Sequence, residues 1–150
     1  MKLQNFLSIF HQKNLFSEKL GNDADLEIKS IGRDSRFVTP GQLFFVKGVY
    51  FKPEYLQQAE KNGAVALVCQ QKQSSNLPQI IVTDIRKAMP LAANIFYQNP
   101  SAKYQLVGIT GTKGKTTCAY MLKSIFDKAF GKNKTGLIST TEAICGEKKL

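Results

Sequence analysis

The 150-residue chain has no cysteine cluster, no long apolar run, a single histidine and few acidic groups. Its three cysteines, Cys69, Cys118 and Cys145, are odd in number, far apart and without CxxC spacing. That pattern argues against a disulfide framework or a cysteine zinc site and suits reduced thiols in the cytoplasm. No stretch approaches the ~20 apolar residues of a membrane span. Asn5, Ser8, His11 and Gln12 interrupt the apolar N-terminal stretch, and no small-residue cleavage site follows, so a signal peptide is not expected. Leu3, Phe6, Leu7 and Phe10 instead fall at helical spacing and predict a short amphipathic helix, in which His11 reads as a surface or packing residue. The expectation is a soluble, cytoplasmic monomer without membrane insertion.

What is abundant is positive charge: 21 Lys and Arg stand against 11 Asp and Glu, a formal net charge of +10. Such an excess suits an acidic partner, whether nucleotide, sugar nucleotide, nucleic acid or anionic surface. The lysines are scattered and no block of five or six like charges occurs, so a basic solvated surface is an equal reading. No aromatic-plus-basic stripe or reading helix is present, which disfavours nucleic acid.

Patterning along the chain predicts an α/β fold. Leu26–Ile31 alternates like a half-buried strand and leads into Gly32-Arg33-Asp34-Ser35-Arg36; a turn at Thr39-Pro40-Gly41 precedes a strand over 42–46. Residues 53–62 read as a helix with proline in its first turn and Gly63 as C-cap. Apolar runs at 64–69 and 79–82 read as strands. Asp84 reads as the N-cap of a helix to about Gln98, which Pro90 either delays or bends and Asn99-Pro100 stops. Residues 1–100 thus form an expected first domain. A second begins at 101 with a strand over 104–109, a glycine-rich turn, a helix from Lys115 to about Phe130, a strand over 135–140 and a hairpin near Cys145-Gly146-Glu147. Two strands and one helix cannot enclose a doubly wound core, so residues 101–150 are expected to be the beginning of a larger domain, and the chain the N-terminal portion of a longer protein.

The chemistry-bearing segment is Gly108-Ile109-Thr110-Gly111-Thr112-Lys113-Gly114-Lys115-Thr116-Thr117. Glycines between a strand and a helix let backbone N–H groups approach phosphate oxygens, and the helix N-terminus adds positive partial charge. Lysine in Gly-Lys-Thr meets terminal phosphates, and the threonine hydroxyl can join a Mg²⁺ shell. The strict Walker A spacing fails, because Ile109 occupies the position of its first glycine. Thr-Gly-Thr-Lys-Gly-Lys-Thr-Thr remains; its bland alternative is an ordinary helix-capping turn. Cys118, directly after it, reads as a small helix residue.

This shorter loop resembles that of the Mur ligase superfamily, commonly Gly-Thr-Asn-Gly-Lys-Thr-Thr. Lys113 in the asparagine position is similar to the MurE enzymes that add L-lysine to UDP-MurNAc-L-Ala-D-Glu. Asp34-Ser35-Arg36 followed by Thr39-Pro40-Gly41-Gln42-Leu43-Phe44-Phe45-Val46-Lys47-Gly48 resembles the Asp-Ser-Arg…Pro-Gly-x-Leu-Phe signature of the MurE and MurF first domain. The two motifs agree in order and spacing with MurE across essentially the whole chain.

The resemblance implies a small UDP-sugar-binding α/β domain followed by the start of an ATP-binding central domain of P-loop type. It implies ATP bound by Gly111, Thr112, Lys113, Gly114, Lys115, Thr116 and Thr117, with Lys115 catalytic and Thr116 toward Mg²⁺. It places Ser35, Lys47 and Gly48 at the nucleotide-sugar. It further implies a ligase of peptidoglycan-precursor synthesis acting through an acyl phosphate, with UDP-MurNAc-L-Ala-D-Glu and L-lysine as substrates. The family's remaining metal ligands, modified lysine and amino-acid-selecting domain would lie beyond Leu150, so these residues alone are expected not to catalyse ligation. Rival readings are a MurF-type D-Ala-D-Ala-adding ligase, or a non-catalytic binder of uridine nucleotides through residues 1–100.

Overall fold

The computed structural model describes residues 1–22, 26–48 and 51–150, and the chain divides into two compact units, Met1–Tyr104 and Gln105–Leu150. In chain order the first unit contains α1 (Leu3–Gln12), β1 (Phe16–Leu20), β2 (Ser30–Gly32), β3 (Gln42–Phe45), α2 (Pro53–Lys61), β4 (Ala64–Cys69), β5 (Gln79–Val82) and α3 (Ile85–Phe96). A single sheet runs β1-β5-β4-β3-β2, parallel except for the antiparallel edge strand β1.

Both faces of this sheet are covered, which is why its central strands are apolar without alternation. Leu43, Phe45, Val68, Ile80 and Val82 join one core with Leu3, Phe6, Leu7 and Phe10 of α1 and Ile85, Ala88 and Ala92 of α3. Phe44 and Leu67, pointing the other way, join Leu56 and Ala59 of α2 in a second core. Helix α1 therefore forms as its spacing predicts, with those four residues buried. His11 lies on its exposed side and stacks on Phe16 with ring centroids 3.9 Å apart.

Two readings of this unit change, and the helix expected after Asp84 forms with its proline inside. Within Leu26–Ile31 only the end enters the sheet, because β3 offers ladder partners from Gln42 onward, opposite Ser30. The preceding residues pair with the chain start instead: Leu3 N–H donates to Leu26 O at 2.9 Å and Ile28 N–H to Met1 O at 2.7 Å. Strand β1 was not expected, since its middle residues Ser17, Glu18 and Lys19 are all exposed and give no apolar signal. Helix α3 begins at Ile85, where Asp84 accepts from the Arg86 and Lys87 amides at 2.8 and 3.3 Å, and runs through Pro90. Arg86 and Pro90 are both exposed, so water can satisfy the carbonyl that proline leaves unbonded. The helix ends at Phe96, before the left-handed pair Gln98 and Asn99 and the short turn Pro100–Lys103.

In the second unit α4 spans Lys115–Phe130, and β6 (Gly136–Ile138), β7 (Ala143–Cys145) and β8 (Lys148–Lys149) form an antiparallel sheet of their own. The expected strand over 104–109 does not form: residues 105–110 enter no ladder, because β6 to β8 pair only among themselves. No residue of α4 is buried, and Leu106, Val107, Met121, Ile125, Phe130 and Ile138 are exposed. Among the described residues no helix is long and apolar enough to cross a membrane.

The packing makes a stability prediction. Phe10 is fully buried in the larger core, so Phe10→Ala should destabilise the first unit by about 3–5 kcal/mol, the usual cost of deleting a buried ring. Urea unfolding followed by circular dichroism measures it; a loss below about 1 kcal/mol would contradict the packing.

Candidate functional site

Parallel strands separated by crossovers present their connecting loops at the carboxyl edge, where α/β folds commonly hold ligands. Ser35 follows the end of β2, and Lys47 and Gly48 follow the end of the adjacent β3. The topology thus brings these three expected residues to one edge of the first unit.

Ser35 opens a short 3-10 turn, Ser35–Phe37, capped by Asp34. Asp34 accepts from the Arg36 amide at 3.0 Å and from the guanidinium at 2.9 and 2.7 Å, so the Asp-Ser-Arg triplet is closed on itself. The Arg36 side-chain and amide hydrogen bonds hold the Asp34 carboxyl down at about 2, against an ordinary 3.8. Ser35 is buried, and its Oγ donates to Gln58 Oε1 of α2 at 2.7 Å while its carbonyl accepts from Asn62 Nδ2 at 2.9 Å. Sequence reasoning missed Gln58 and Asn62. The signal was their spacing of four, which sets Gln58 of α2 and its C-cap Asn62 on the same side. Lys47 is half-buried, and Gly48 is exposed with φ 132°. Two open hollows elsewhere on this unit, beside α1 and at the start of α3, include none of the three.

In the second unit the turn 111–114 leads into α4. Gly111 and Gly114 adopt φ 150° and 78°, conformations that side chains disfavour. Gly114 is the N-cap and supplies no side-chain cap, and the first helical hydrogen bond is from the Cys118 amide to Gly114 O at 2.9 Å. The amides of Lys115, Thr116 and Thr117 therefore have no acceptor among the described residues, and the helix dipole adds to their positive potential. Lys115 Nζ folds back onto the Gly111 and Thr112 carbonyls at 2.7 and 3.3 Å. Thr112, Lys113, Gly114 and Lys115 are exposed, and Thr116 is half-buried.

The unit's acids leave the loop's charge alone. Asp127 is taken by Lys123 at 2.5 Å and by the Thr135 hydroxyl; Glu142 is taken by Lys149 at 2.5 Å and by the Tyr120 hydroxyl. These partners, the lysines foremost, hold both carboxyls below the ordinary range. Glu147 pairs with Lys132 at 3.4 Å. No carboxylate pairs with Lys113 or Lys115 among the described residues. Unfilled amides, two positive-φ glycines and uncompensated lysines fit a polyanion such as a nucleotide triphosphate. Thr116 could add one oxygen ligand to a Mg²⁺ held mainly by phosphates, as that ion usually is. Among the described residues no group of three or more His, Cys, Asp or Glu could hold a metal by itself.

No family model matches the chain. It is 40% identical to the UDP-N-acetylmuramoyl-L-alanyl-D-glutamate–2,6-diaminopimelate ligase of Geobacillus thermodenitrificans over 150 residues, 99% of this chain and 29% of that protein. It is 39% identical to the UDP-N-acetylmuramoyl-L-alanyl-D-glutamate–L-lysine ligase of Streptococcus pneumoniae serotype 4 over 147 residues, 94% of this chain and 31% of that protein. Among solved structures, the UDP-N-acetylmuramoylalanyl-D-glutamyl-2,6-diaminopimelate–D-alanyl-D-alanyl ligase of Acinetobacter baumannii superimposes with a TM-score of 0.60 at 25% identity, over 85% of this chain and 28% of that one. The chain thus spans under a third of the length of these relatives.

The Asp34 geometry predicts an acid-resistant turn. With its pKa lowered from 3.8 to about 2, the carboxylate's contribution is whole above pH 3.8 and disappears as pH falls through about 2. A carboxyl-detected NMR titration should give Asp34 a midpoint near 2, and Arg36→Ala should raise it toward the ordinary range of about 3.9, the amide of residue 36 still holding it partly down. A wild-type midpoint already at the ordinary value would refute the closed triplet.

Proposed function

Because this chain belongs to the Mur ligase family, we propose that it serves a cytoplasmic ATP-dependent ligase of the MurE type, which adds L-lysine to UDP-MurNAc-L-Ala-D-Glu. The observation that carries the proposal is the start of α4, where three amides without acceptors follow Gly114 in a loop with uncompensated lysines. That arrangement suits phosphate, and the relatives' names supply the reaction in which it would serve.

ATP, when bound, supplies the phosphoryl group that makes a carboxylate oxygen a leaving group. The chain's own part is to bind and orient. The amides of residues 115–117 would donate to phosphate oxygens, and Lys115 would exchange its two carbonyl acceptors for the terminal phosphates. The Thr116 hydroxyl would help hold Mg²⁺, and Lys113 would add charge. Gly111 and Gly114 keep side chains away from the approach, while Thr112 and Thr117 extend the loop contacts. On the first unit, Ser35, Lys47 and Gly48 take the uridine diphosphate end of the substrate.

The choice of lysine rests on Lys113 alone, since relatives using diaminopimelate and lysine are similar at 40% and 39%. The D-alanyl-D-alanyl alternative has the weaker support of a 25% identical structure. Phosphate release by the whole ligase, measured with each amino acid in turn, separates these readings: stimulation by diaminopimelate but not lysine rejects the lysine assignment.

Calorimetric titration of this chain with ATP–Mg²⁺ and UDP separately tests the reading, and both should bind. UDP alone would favour a non-catalytic uridine-nucleotide binder, and failure of both would reject the site. Lys115→Ala should weaken ATP binding about 10–100-fold, the worth of a charge-assisted hydrogen bond of about 1.5–3 kcal/mol. An unchanged affinity removes Lys115 from the phosphate site.

A further inference from the structure

The Ser35 hydroxyl has one proton, and facing the Gln58 amide oxygen directs that proton to Oε1. Oγ donates to Gln58 Oε1 at 2.7 Å, across 23 residues of sequence. The backbone is held toward this partner: the Ser35 carbonyl accepts from Asn62 Nδ2 at 2.9 Å and Asp34 caps the turn. A serine hydroxyl offers one donor and two acceptor lone pairs. With the donor committed, only lone pairs remain for a ligand.

We propose that Gln58 is a positioning residue that fixes Ser35 as a hydrogen-bond acceptor, so that the substrate's nucleobase is selected through a ring N–H donor. The inference rests on the reading of Ser35 as a nucleotide-sugar contact. Uracil carries N3–H between its two carbonyls, whereas cytosine carries a lone pair at N3. Against an acceptor-only serine, uracil makes a bond and cytosine sets lone pair against lone pair. The turn that carries Ser35 and the helix that carries Gln58 each expose an aromatic ring: Phe37 is 73% exposed with the Arg36 guanidinium 5.5 Å from its centroid, and Tyr55 is 42% exposed and packs edge-on against Phe51. Such rings offer stacking surface without reading base identity, which leaves discrimination to the Ser35 hydroxyl.

The test is calorimetric titration of the chain with UDP and with CDP, for wild type, Gln58→Leu and Gln58→Glu. Gln58 is exposed on α2, so both variants are expected to fold, and circular dichroism checks this. Wild type should prefer UDP by about tenfold or more, the penalty of leaving a polar group mispaired. In Gln58→Leu the freed proton can turn toward cytosine N3, so CDP should bind more tightly and the preference should fall toward unity. Gln58→Glu, which still accepts the proton, should keep the preference. A merely structural role for Gln58 would weaken both ligands together and could not improve CDP. UDP preference unchanged in Gln58→Leu overturns the inference while leaving the site intact; no UDP binding by wild type overturns the reading of Ser35 itself.

Discussion

Burial of β3 and β4 on both faces is the constraint on which the first unit depends. Leu43, Phe45 and Val68 need the cover of α1 and α3, while Phe44 and Leu67 need that of α2. A sheet covered on both sides with parallel strands must send its chain over a face between strands, and each connection returns at the same edge. The Asp34-Ser35-Arg36 turn and the Lys47-Gly48 loop lie at the carboxyl edge for that reason. The same helix that closes the second core, through Leu56 and Ala59, turns Gln58 and Asn62 onto Ser35. Core and candidate site share α2, so the orientation of the serine is fixed by packing rather than by the loop alone.

The second unit lacks such cover. Helix α4 buries no residue, and the order around it comes from polar clasps and hairpins. Asp127 ties α4 to Lys123 within the helix and to Thr135 just before β6, and Glu142 joins Tyr120 of α4 to Lys149 of β8. The conformation of the glycine-rich turn 111–114 depends little on this packing. Gly111 and Gly114 set it through φ, and α4 supplies amides wherever its first turn begins.

That difference explains what could be read in advance. The runs at 64–69 and 79–82, the four-residue stripe of α1 and the Asp84 cap carry strong local signals, and the structure follows them. β1 was invisible because an edge strand with an exposed middle needs no apolar residues there. The run at 104–109 misled for the opposite reason. Its residues have strand character, but a strand exists only with a partner, and β6 to β8 pair among themselves. The Leu26–Ile31 error is of the same kind: alternation was present, yet the ladder starts only at Ser30.

The two candidate sites divide along this line. A glycine-rich loop declares its chemistry locally, since backbone amides bind phosphate and glycine positions mark where the backbone must bend. A hydroxyl declares only that it can donate or accept. Which of the two Ser35 does is decided by Gln58, 23 positions away, and no motif spanning 34–48 contains that residue. Ser35 alone therefore marks a candidate contact, but not which hydrogen-bonding pattern it accepts. The polarity of the contact belongs to the tertiary structure, and a change on α2 could alter nucleobase choice while leaving the Asp-Ser-Arg motif intact.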